Sequence, residues 1–102
     1  MFIAEEIQKR LINMGLKDIY VETTDYFDKL YIYKVKKVEV KVLKHGKIKT
    51  KTKIKHRLIL RDDKFEEIYK DLVRAVLNPE IQRDILDWYA KELYDKLKAK
   101  ME

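Results

Sequence analysis

The chain has no cysteine and no serine. The first absence removes disulfides and thiolate metal sites, and together they remove the commonest catalytic nucleophiles. Proline occurs once, at Pro79, and glycine twice, at Gly15 and Gly46. Without a Gly- or Pro-rich linker, the 102 residues are expected to form one domain, 1–102, able to bury a modest core. Asparagine and glutamine are scarce, and there are only two histidines. No apolar stretch approaches the length of a membrane span, and no signal peptide is visible, so a soluble intracellular protein without membrane contact is the expectation.

What the chain has is charge. Asp, Glu, Lys and Arg make up 41% of it, Lys greatly outnumbers Arg, and the net charge is +6. That net value hides a split. Residues 29–61 hold 13 Lys and Arg against one acid, Glu39, while the remainder is acidic overall. Such an asymmetry points towards a polyanion partner. The abundance of Lys and Glu, with few thermolabile residues, resembles small proteins of hyperthermophilic archaea and of the filamentous viruses that infect them. That resemblance is compositional. It implies an intracellular setting, the host cytoplasm for a viral protein, or a virion.

The basic stretch reads as one long β-hairpin, residues 30–43 and 47–60. In its second arm Ile48, Thr50, Thr52, Ile54, His56, Leu58 and Leu60 alternate with Lys49, Lys51, Lys53, Lys55 and Arg57, the period of a half-buried strand. In the first arm Tyr31, Tyr33 and Val35 change parity before Val38, Val40 and Val42, which calls for a β-bulge at Lys36-Lys37. A three-residue loop, Lys44-His45-Gly46, would then set Val42, Val40 and Val38 opposite Ile48, Thr50 and Thr52. It would also set Val35, Tyr33 and Tyr31 opposite Ile54, His56 and Leu58. A two-residue loop would oppose the valines with lysines and is the disfavoured register.

Helical periodicity surrounds the hairpin. Ile3, Ile7, Leu11 and Met14 make one stripe over residues 2–14, ended by Gly15, with Leu16 placed to touch Leu11 in a Schellman motif. Residues 18–23 read as a short strand. Asp63 and Glu66 suggest a capping box opening a helix with Phe65, Ile68, Leu72, Val73, Val76 and Leu77 inward. Asn78 as N-cap and Pro79 at the first helical position start a last helix marked by Ile81, Ile85, Trp88, Tyr89, Leu93 and Leu97. The expected fold is α+β: an antiparallel three-stranded meander with a long basic hairpin, packed against one N-terminal and two C-terminal helices. An internal duplication is also suggested, since Glu5, Glu6, Ile7, Lys9, Leu11 and Leu16 match Glu66, Glu67, Ile68, Lys70, Leu72 and Leu77 at constant offset, and Asp25–Tyr31 resembles Asp87–Tyr94. Two such units packed together would leave a groove where they meet.

Chemistry finds little purchase. His45 reads as a solvated turn residue, His56 as a sheet residue, and the acids Asp62, Asp63, Glu66 and Glu67 as helix-start charges. Val38-Glu39-Val40-Lys41, with Asp25, Asp28, Glu5 and Glu6, resembles the PD-(D/E)xK nuclease core, which implies carboxylates holding a divalent metal. No Pro precedes Asp25 or Asp28 and the chain is short for that fold, so the expectation is no enzyme, no metal and no cofactor. Two interaction readings remain, and they stand close. A protein or peptide segment would bind at an open sheet edge, or in a groove between helices and sheet, through Tyr20, Tyr26, Phe27, Tyr31, Tyr33 and Tyr94. Alternatively nucleic acid would bind a basic hairpin face of Lys41, Lys49, Lys51, Lys53, Lys55 and Arg57. The first leads narrowly, because it holds even where the lysines only hydrate a strand. Trp88 and Tyr89 are assigned to the core.

Overall fold

The computed structural model describes residues 2–101. Helix α1 spans Ile3–Asn13, strand β1 Ile19–Thr23, strand β2 Leu30–Lys44, strand β3 Lys47–Asp62, helix α2 Phe65–Arg74 and helix α3 Pro79–Met101. The three strands form one antiparallel sheet in the order β1-β2-β3. The architecture is the expected α+β meander. No helix among the described residues is long and apolar enough to cross a membrane.

The helices cover one face of the sheet's base. Ile7 and Leu11 of α1, Ile19 and Val21 of β1, Leu30 and Ile32 of β2 and Leu60 of β3 share a buried cluster with residues from α2 and α3. Gly15, at φ +110°, closes α1 in the Schellman pattern: its N–H donates to Ile12 O, and the Leu16 N–H donates to Leu11 O at 3.2 Å. Asn78 caps α3 as expected, with its side-chain oxygen 3.4 Å from the Ile81 N–H.

The start of α2 differs from the capping box. Asp62, not Asp63, accepts the Lys64 N–H, at 3.0 Å, and no side chain caps the helix. Asp62 is needed there because its other oxygen accepts the Tyr89 hydroxyl at 2.7 Å inside the core. Burial, then this hydrogen bond, pushes the Tyr89 phenol well above its ordinary pKa. Tyr89→Phe would leave that oxygen buried without its donor, so unfolding free energy is expected to fall by about 1–3 kcal/mol, as read by urea denaturation.

The α2–α3 junction is more open than the periodicity suggests. Val73, Val76, Leu77, Ile81 and Trp88 are exposed rather than inward. Helix α2 ends after ten residues, so Val76 and Leu77 fall in the connecting turn instead of on a buried stripe. On α3 the buried side chains are Leu86, Tyr89, Ala90, Leu93 and Leu97, which turns Trp88 outward, where Lys64 lies over its ring at 5.4 Å. Of the matched segments, Glu5–Leu11 and Glu66–Leu72 are both helical, but Asp25–Tyr31 is turn and strand where Asp87–Tyr94 is helix.

The hairpin register also departs from expectation. The loop has two residues, His45 at φ +54° and Gly46 at φ +75°, both left-handed as a type I′ turn requires. Lys44 pairs with Lys47, and Val42, Val40 and Val38 lie opposite Lys49, Lys51 and Lys53. Val35 faces His56, Tyr33 faces Leu58 and Tyr31 faces Arg61. The register shift lies between Ile32 and Tyr33, where Ile59 is the extra residue on β3, not at Lys36-Lys37. The cause is a conflict between the two ends of the hairpin. The core requires Ile32 opposite Leu60, the turn sets the distal pairs one residue out of step, and the bulge reconciles them. No core covers the distal arms, so alternation there does not dictate register. Val38, Val40 and Val42 are half-buried opposite lysines, whose long aliphatic stems suit covering apolar surface.

Beyond Val35 no residue of either arm is buried until Leu60. The ribbon therefore projects from the body, and the molecule measures 60 × 29 × 22 Å.

Candidate protein-binding groove and basic ribbon

Strand β1 is an edge of the sheet. Asp18 O accepts the Val35 N–H, and the Thr24 N–H donates to Lys29 O. Antiparallel alternation between these two bonded pairs commits Tyr20 and Glu22 to β2 and turns the backbone groups of Ile19, Val21 and Thr23 towards the free edge. One of these is occupied: the Val21 N–H donates to Gln8 Oε1 of α1 at 3.0 Å. Gln8 therefore stands where a further strand would place a carbonyl.

A groove of about 820 Å³ runs along this edge between β1 and the first turns of α1. Phe2, Ile3, Tyr20 and Phe27 supply apolar surface, and Glu5, Glu22 and Asp25 supply charge; no Lys or Arg lines it. Its far end is shaped by the turn between β1 and β2. Thr24 Oγ1 accepts the N–H groups of Asp28 and Lys29, each at 3.1 Å, and its hydroxyl donates to the Asp28 carboxylate. That last bond holds Asp28 below the usual carboxyl range. Phe27 takes φ +56°, a conformation a bulky residue keeps only under constraint, and its ring stacks on Tyr69 of α2 at 4.5 Å.

The outer face of the sheet carries no helix. There Tyr20, Tyr31, Tyr33 and His56 gather with ring centroids 5.7–6.5 Å apart. Partial desolvation, then the Glu22 carboxylate, raises the Tyr33 phenol above its ordinary pKa. Of the aromatic candidates, Tyr20 and Phe27 line the groove, while Tyr31 and Tyr33 flank it on the outer face. Tyr26 is almost fully exposed in the turn. Tyr94 lies elsewhere, packed against the core on α3 with Lys98 over its ring. Neither Phe2 nor Gln8 stood out in the sequence, and Glu5 stood out there only as a carboxylate of the nuclease-like pattern and of the repeat. Gln8 directly follows the buried Ile7, and that adjacency is the signal that its side chain leaves the helix beside the core.

The ribbon separates its two faces sharply. One face holds Lys34, Lys36, Lys44, Lys47, Lys49, Lys51, Lys53, Lys55 and Arg57 together with the three valines. The other holds Val35, His56, Leu58, Ile54, Leu43 and Ile48, and also Lys37, Glu39 and Lys41. Lys41 thus sits apart from the row to which sequence spacing assigned it, and Lys34, Lys36, Lys44 and Lys47 join that row instead. Glu39 pairs with Thr52 out on the projecting arm, whereas Asp25 and Asp28 belong to the turn between β1 and β2 at the base. Among the described residues no three His, Asp or Glu side chains group as a metal site.

The chain matches no protein-family model, no curated protein and no solved structure.

Proposed function

We propose that this protein is a non-enzymatic interaction module that binds an extended segment of another protein along the free edge of β1. The observation that supports the reading best is the outward row of backbone groups at Ile19, Val21 and Thr23, of which Val21 and Thr23 line a groove with apolar anchors. Edge hydrogen bonds supply affinity in strand addition, and flanking pockets supply selectivity. The incoming strand displaces Gln8 from Val21. Three carboxylates, and no Lys or Arg among the described residues that line the groove, favour a segment that alternates apolar residues with Lys or Arg.

The test is selection from a random library of unstructured peptides against the intact protein. Enriched sequences should alternate apolar and basic residues and lack Asp, Glu and Pro. Binding should protect the Ile19 and Thr23 amides from hydrogen exchange. Thr23→Pro removes an outward N–H that the sheet does not use, so the fold should tolerate it. Losing that bond should weaken the selected peptides about tenfold or more, since one such hydrogen bond is worth about 1 kcal/mol and the ring also obstructs the edge. Peptides indifferent to Thr23→Pro that leave both amides unprotected would refute the assignment.

A further inference from the structure

The cross-strand pairing of the ribbon carries a second interaction surface, independent of the β1 groove. Lys34 lies directly opposite Arg57, Lys36 opposite Lys55 and Lys44 opposite Lys47, all on one face. Like charges placed directly across an antiparallel pair are destabilising. Among the described residues no ion pair offsets them, and Lys34 finds only a carbonyl, donating from Nζ to Lys17 O at 2.9 Å. The one acid between Lys34 and Arg57, Glu39, is on the other face, and the ion pairs among the described residues use none of these nine cations. A strand face that only needed to stay soluble could interleave Glu with Lys and gain cross-strand attraction. An edge guarded against aggregation needs only a few charges on the edge strand. Here both strands contribute, and the inner strand β2 contributes Lys34, Lys36 and Lys44.

We infer that this face is a binding surface for duplex nucleic acid, contacting phosphates without reading base sequence. The geometry suits it. Two strands about 4.8 Å apart form a ribbon that a major groove about 12 Å wide admits. From Lys34 to Lys44 the row runs about 33 Å at ~3.3 Å per residue, close to one turn of duplex. Eight of the nine cations are lysines, point charges suited to phosphate, while the residue best fitted to bidentate base recognition occurs once, as Arg57. Val38, Val40 and Val42 between the lysines offer no polar group to a base edge.

The experiment titrates the full chain against a labelled random-sequence DNA duplex by fluorescence anisotropy, at NaCl concentrations from about 50 to about 200 mM. Binding at the low end should weaken by about a thousandfold or more across that range if six or more phosphates are neutralised. Two double variants remove equal charge from opposite faces. Lys51→Gln with Lys53→Gln should shallow the log–log salt slope by about 1.8 on duplex DNA. Lys37→Gln with Lys41→Gln should leave the slope unchanged. Circular dichroism confirms that both keep the fold. The assignment is overturned if the duplex is not bound at the lowest salt, or if both double variants shift the slope equally, which would make net charge rather than this face the cause. It is also overturned if vesicles of phosphatidylcholine and phosphatidylserine retain the protein while the duplex does not. In that case Leu43 and Ile48 at the tip, exposed by 74% and 70%, would be the anchors of a membrane surface contact.

Discussion

Leu30→Ala should lower the free energy of unfolding by about 2–5 kcal/mol, whereas Leu43→Ala in the same strand should change it by less than about 0.5 kcal/mol. Both are leucines of β2. Leu30 is fully buried between the sheet and the helices, and Leu43 is 74% exposed near the ribbon's tip. Truncating Leu30 removes apolar contacts on every side and leaves a cavity among Ile7, Phe65 and their neighbours in the core. A loss of that size is a large part of the ~5–15 kcal/mol that holds a domain together. At ~100 residues each kcal/mol shifts the midpoint by about 4–8 °C, so thermal unfolding should separate the two variants by more than about 10 °C. Equal costs for the two leucines would mean that the distal ribbon is packed against something in solution, a second copy of the chain being the first candidate.

The same contrast explains which parts of the structure the sequence disclosed. Where a core constrains the chain, the pattern of residues sufficed. Ile7 and Leu11 lie on the buried stripe of α1, Gly15 and Leu16 close it, and Asn78-Pro79 divides α2 from α3. Where no core constrains it, alternation misled. The apolar residues at Ile48, Ile54 and Leu58 suggested a buried face for β3, but all three are exposed, and the turn at His45-Gly46 sets the pairing instead. That single change put Val38, Val40 and Val42 on the face of Lys49 to Arg57, drew Lys44 out of the loop to pair with Lys47 on that face, and moved Lys41 off it. The groove was only half legible. Tyr20 and Phe27 stood out as aromatics near a strand, but Phe2 and Gln8 act through the docking of α1 against β1, a tertiary relation that helix periodicity does not encode. Trp88 shows the opposite error. A large aromatic on an amphipathic helix is expected inside, yet the stripe through Leu86, Tyr89, Leu93 and Leu97 leaves it on the solvent side.

Removing residues 37–54 and joining Lys36 to Lys55 through Asn-Gly should abolish duplex binding while leaving the body folded and the β1 groove competent. Lys36 and Lys55 are already directly opposite each other, and Asn-Gly is a favoured two-residue connection for such a pair. Every residue removed is exposed or half-buried, and none belongs to the core. The excised arm therefore contributes paired backbone but almost no hydrophobic stabilisation, and it carries the opposed pair Lys44–Lys47 together with the same-face row Lys49, Lys51 and Lys53. Relief of that repulsion has a definite sign. At low ionic strength the shortened protein should be at least as stable as the full chain, and added salt should narrow the difference, because screening relieves the full chain more. Small-angle scattering should show the radius of gyration falling from 17.3 Å towards the ~12 Å of a compact domain of the remaining length. Selected peptides should still bind the shortened protein with unchanged affinity, since Phe2, Gln8, Tyr20 and Thr23 all lie in the body. Loss of both activities together, with the fold intact by circular dichroism, would contradict the separation of the two surfaces, because it would require the groove to depend on a ribbon that none of its lining residues belongs to.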